Sequence, residues 1–142
     1  MIYRLVLLLS AISFLAACGG GGGGVQPTVY PAISLSTSTS SLAENSGTTV
    51  TLTVTASKIS DEDITVTLST SGTATDGTDY SAVNGSSLTI SAGTTTATKT
   101  FTVTDNSIYE GNETVVIAIS TVSGGSATEN GTQAQTITIT EN

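Results

Sequence analysis

From Ala32 to the end of the chain, apolar side chains recur at every second position between Ser and Thr, and this period of two constrains the fold more than any other feature. Runs such as Val50-Thr51-Leu52-Thr53-Val54 and Ile64-Thr65-Val66-Thr67-Leu68 place one apolar face and one hydroxyl-bearing face on a pleated strand. Helical spacing is absent here, and the abundant Thr and Val favour extended backbone. The strands read this way are Ala32 to Ser38 with an extension to Ala43, Thr48 to Ala56, Ile64 to Thr70, Ser87 to Ser91, Thr95 to Thr104, Thr114 to Ser120 and Ala134 to Thr140. Beyond the two runs above, their inward sets are Leu88 and Ile90; Phe101 and Val103; Val115, Ile117 and Ile119; Ile137 and Ile139.

Seven short strands separated by turn residues predict an all-β fold, an immunoglobulin-like seven-stranded antiparallel sandwich over residues 32–142. A chain of 142 residues has no room for a second core beside it. It contains no His, no Trp and a single Cys, which removes imidazole acid-base chemistry, a zinc shell and a disulfide framework, so an enzyme is not expected. A formal net charge of -8 disfavours nucleic acid as a partner.

The segment before the sandwich reads differently. Met1 to Arg4 is a short positive start, and Leu5 to Leu15 is an apolar run too short to span a bilayer comfortably, as in a cleaved targeting segment. Leu15-Ala16-Ala17-Cys18 resembles the lipobox of bacterial lipoproteins. That resemblance implies a signal peptide over residues 1–17 and acylation of Cys18, with the membrane as a partner through the lipid anchor. It also implies a cell-envelope location, the outer membrane in a Gram-negative host because Gly19 rather than Asp follows the Cys. Residues 18–31, opening with the glycine run Gly19 to Gly24, read as a tether with a reach of roughly 20 Å.

Strand parity sorts the acidic residues. In an antiparallel sandwich successive loops fall at alternate ends, so Glu44, Asp76, Asp79, Asp105, Glu110, Glu113 and Glu141 gather at the end away from the tether, hereafter the far end. Asp61, Glu62, Asp63 and Glu129 lie at the near end with Lys58, and no Lys or Arg is expected at the far end. Converging carboxylates without basic partners repel one another unless a cation neutralises them. An all-oxygen set drawn from several loops suits the irregular shell of calcium better than the octahedron of magnesium.

The same residues carry a family resemblance. Gly72-Thr73-Ala74-Thr75-Asp76-Gly77-Thr78-Asp79-Tyr80 resembles the GTA-x-x-G-x-DY segment of Calx-beta domains, and Asp105 to Thr114 resembles their DD-x-x-x-E-x-x-E segment. Calx-beta domains are calcium-binding sandwiches known from sodium/calcium exchangers, cell-adhesion proteins and bacterial surface proteins. The resemblance therefore implies bound Ca²⁺, an adhesion or surface-interaction role with a protein partner, and as ligands Glu44, Asp79, Asp105, Asn106, Glu110, Glu113 and Glu141. Asn106 stands where a second Asp is usual and Glu141-Asn142 replaces an acidic pair, which implies weak binding. A structural spacer of the same fold is the alternative. Tyr80 and Tyr109 are expected to cap the ends of the core.

Overall fold

The computed structural model describes residues 29–131 and 133–141; the targeting segment, Cys18 and the glycine run lie outside them. Among the described residues, nine strands form two facing sheets. They are β1 (Ala32–Thr37), β2 (Ser41–Ala43), β3 (Thr49–Ala56), β4 (Ile64–Gly72), β5 (Ser87–Ile90), β6 (Thr96–Thr102), β7 (Glu113–Ser123), β8 (Thr128–Glu129) and β9 (Ala134–Thr140). One sheet has the order β6-β3-β1-β8 and the other β2-β9-β7-β4-β5. The sandwich is immunoglobulin-like, as the alternation predicts, and every inward residue named above is buried in its core.

The strand count and the all-antiparallel expectation need correction, and each departure has a local cause. The first predicted strand is two strands, because Thr37 to Ser41 is an unbroken run of hydroxyl residues with no apolar side chain to hold it to the core. Its hydroxyls turn to nearby backbone instead, Thr37 Oγ1 donating to Thr39 O at 3.1 Å and Thr39 Oγ1 to Ser41 O at 2.7 Å. The chain thereby leaves β3 and crosses to the opposite sheet, where β2 runs parallel to β9. A second parallel pair joins β1 to β8, a strand of two residues that is too short to register as an alternation. The sixth predicted strand stops at Ser120, yet β7 continues to Ser123. The pairing with β4 slips by one residue there, from Leu68 opposite Ile119 to Thr67 opposite Thr121, so Ser120 bulges and the inward parity resets.

At the far end, the loop after β4 is strapped to the start of β7. Thr114 O accepts from Thr73 N at 3.0 Å and Ala74 N at 3.1 Å, and Thr114 N donates to Thr73 Oγ1 at 2.9 Å. Gly72 permits that approach. Its φ is +119°, and a Cβ there would collide with the Thr114 carbonyl. Gly77, in the same loop, has φ +83° but open space around it. Gly72→Ala should therefore cost about 3 kcal/mol from strain and collision together, against about 1 kcal/mol for Gly77→Ala from strain alone. Chemical denaturation of the two variants measures the difference; equal losses would mean that the strap is not a close-packed contact.

Candidate metal centre

Parity places the seven acids correctly. The far end collects the end of β2, the loops β4–β5 and β6–β7, and the residue after β9, because Ala43 pairs with Thr140, Thr49 with Thr102, and Gly72 with Val115. Within that end the carboxylates divide into those that converge and those that hold loops.

Asp79 lies at the centre. Its loop is folded back on itself and fastened to the end of β6: Asp79 N donates to Thr75 O at 3.0 Å, and Thr104 N donates to Asp79 O at 2.8 Å. The next residue, Tyr80, is buried with its ring edge-on to Phe101 at 5.6 Å between centroids, so the DY pair is pinned by the core. Held in this way, the Asp79 side chain is only 5% exposed. Asp79 Oδ2 accepts from Thr75 N at 2.6 Å, whereas Oδ1 is buried with no hydrogen-bond partner.

One carboxylate oxygen from each of Asp79, Glu110 and Glu113 lies within 4.8 Å of the others. Two oxygens on opposite sides of a calcium ion at about 2.4 Å each are about 4.8 Å apart, so the three can share one ion. Burial raises the Glu113 carboxyl above the usual Glu range, and the charges of Asp79, Glu110 and Glu44 add to the shift. Protonating Glu113 also offers its neighbour Asp79 a donor, which ionised carboxylates cannot supply. A buried carboxylate with one oxygen lacking a donor, grouped with two further carboxylates, is a fit for a hard cation.

The remaining expected ligands are placed around this trio. Glu44 opens a 3-10 turn (Glu44–Ser46) after β2, is 6% exposed, and accepts from Asn106 N at 3.2 Å through Oε1. Asn106 serves the loop at both ends of its side chain: Oδ1 accepts from Ile108 N at 2.7 Å, and Nδ2 donates to Glu110 Oε2 at 3.2 Å. Asp105 is exposed, and like Glu141 it contributes no oxygen to the converging trio. Glu141 Oε2 instead accepts from Glu110 N at 2.9 Å and Gly111 N at 3.0 Å. Asp76, also at this end, binds Asn84 N at 2.7 Å and Val83 N at 3.2 Å and so closes the loop before β5. Tyr80 does cap the core, but Tyr109 does not. It is 83% exposed beside the likewise exposed Ile108, in a loop whose amides on either side bond to Asn106 and Glu141.

The described residues thus form a sandwich with a carboxylate cluster among the loops at one end. The comparisons give its family: the Calx-beta domain model matches residues 28–142, and the chain belongs to the Calx-beta family. Among solved structures, the apo-form Calx CBD1 domain is 21% identical with a TM-score of 0.62, over 78% of this chain and 97% of that one. The Calx CBD2 domain is 14% identical with a TM-score of 0.58, over 76% and 86%. A structure described as the calcium binding domain CBD12 of CALX1.1 is 22% identical with a TM-score of 0.60, over 72% of this chain and 41% of that longer one. Comparison with curated proteins finds no match.

The raised Glu113 carboxyl sets a pH dependence in calcium-free protein. A carboxyl whose folded pKa lies above its unfolded value takes up a proton on folding, so its ionisation opposes the fold at high pH. Lowering pH through the folded pKa toward the ordinary Glu value should relieve that opposition, with nothing further gained below it. In Glu113→Gln this component should vanish. Thermal melts of both proteins across pH 4 to 7 test it (about the span that brackets a raised Glu); identical pH profiles would contradict the convergence of charges.

Proposed function

We propose that the domain is a weak calcium-binding module of a cell envelope, held to a membrane by a lipid on Cys18, with its far end available to a protein partner. The observation that carries the metal reading is buried Asp79, whose Oδ1 has no hydrogen bond and whose carboxylate groups with those of Glu110 and Glu113. Glu44, buried beside them and charge-coupled to Glu113, would add a fourth carboxylate. Asn106 and Glu141 each have an oxygen engaged with loop amides, which favours fewer charged ligands and a dissociation constant of roughly 10⁻⁴ to 10⁻³ M. The calcium-binding description of the CBD12 structure supports the same reading for a shared fold. A bound cation would supply charge neutralisation; Asp79, Glu110 and Glu113 would hold it, and the Thr73–Thr114 strap would keep the Asp79 loop beside Glu113.

The anchor is supported by the match of Leu15 to Cys18 to the lipobox and by the direction of the chain, which comes into β1 at the near end. The metal-binding end would then point away from the membrane. Radiolabelled palmitate should enter the wild type and not Cys18→Ala in a bacterial host that processes lipoproteins. An unlabelled wild type would remove the anchor from the proposal without touching the metal site.

Calcium at about 1 mM should stabilise the fold by about 0.4–1.4 kcal/mol through mass action, a few degrees of melting temperature. Magnesium should do less. Replacing Glu110 and Glu113 together by Gln should abolish the calcium response and raise calcium-free stability slightly. A wild type whose melting temperature ignores calcium, or a double variant that responds as the wild type does, would favour a spacer role for the domain.

A further inference from the structure

We infer that Glu141 is a positioning residue that latches the β6–β7 loop in the shape that presents Glu110, and not itself a calcium ligand. The inference rests on the calcium reading of this end. Two consecutive amides, Glu110 N and Gly111 N, converge on one oxygen of Glu141. Such paired amides form a small anion-binding concavity in which a carboxylate sits strongly. The contact is returned, since Glu141 N donates to Asn112 Oδ1 at 3.1 Å. Residues 110–112 and the residue just beyond β9 therefore hold each other through both side chain and backbone.

The loop needs such a hold. Ile108 and Tyr109 are 64% and 83% exposed, so no apolar anchor ties its middle to the core. Glu110 is itself exposed and faces two carboxylates, whose repulsion drives it outward whenever no cation is present. Asn106 Nδ2 restrains the Glu110 carboxylate, and Glu141 restrains its backbone. Glu141 contributes no oxygen to the trio, and its occupied Oε2 already has two donors. Calcium then meets a site whose ordering cost has been met in advance, which raises affinity without adding a ligand.

Three substitutions separate positioning from ligation: Glu141→Ala, Glu141→Gln and Asn112→Ala, each followed by calcium titration and by amide hydrogen exchange of the calcium-free protein. Gln keeps an oxygen for the two amides but has no carboxylate for an ion. Glu141→Ala should speed exchange at Glu110 and Gly111 by about tenfold, and Glu141→Gln should leave it near wild type. The calcium dissociation constant should rise several-fold in Glu141→Ala and in Asn112→Ala and stay within about twofold in Glu141→Gln. Equal weakening by Ala and Gln at position 141, with Asn112→Ala neutral, would make Glu141 a ligand and overturn the inference; so would unchanged exchange in Glu141→Ala. A wild type that binds no calcium would defeat the preceding function, while exchange in the calcium-free protein would still decide the latch on its own.

Discussion

The arrangement depends on one unfavourable interaction, the burial of the Asp79 carboxylate beside two others with its Oδ1 left without a donor. Leaving a charged oxygen in that condition costs more than a typical surface feature contributes, so it persists only where the surrounding fold over-determines it. The surroundings do so here. Tyr80 locks the neighbouring position into the core against Phe101, Thr104 N and Thr75 fix the backbone and the other carboxylate oxygen, and the Thr73–Thr114 strap carries the whole loop onto β7 next to Glu113. Asp79 and Glu44 are the two charged residues that are buried among the described residues, and they lie at the same end. The packing of Tyr80 and the hydrogen bonds of this loop thus supply the free energy that holds like charges together.

Much of the fold is legible in the alternation because one face of each strand is buried and the other is hydroxyl-rich. A register error would turn Val50, Leu52 and Val54 to water, so period two specifies the inward set strongly. What escapes the pattern is whatever breaks it. The Thr37–Ser41 run has no apolar side chain, and the sheet crossing it encodes reads as a continuation. Ser120 shifts parity by one residue, so β7 reads as shorter than it is. The β8 strand exists only through its parallel partner β1, and two residues carry no period.

The site is legible at a coarser level. Antiparallel parity brings the seven acids to one end without any knowledge of their loops, and the family pattern sets aside only Asp76 and adds Asn106, so neither singles out Asp79, Glu110 and Glu113. Which oxygens converge depends on loop hydrogen bonds that no strand pattern reports. Asp76 and Glu141 resemble their neighbours in charge, yet one holds Asn84 N and Val83 N and the other holds Glu110 N and Gly111 N. Gly111, at φ +78° between Glu110 and Asn112, is the residue in the sequence that hints at this turn. Tyr109 misleads for a similar reason, since an aromatic beside a core strand reads as a cap until the direction of the loop is known.

Asp79→Asn tests the central claim most directly, because Asn has nearly the same shape and can satisfy Thr75 N while its amide nitrogen offers a donor to the facing carboxylates. If the orphaned oxygen is retained for a cation, the variant should be more stable than the wild type in the absence of calcium and should lose the calcium-dependent rise in melting temperature. A variant that is less stable without calcium, and that still gains the wild-type increment when calcium is added, would contradict the account.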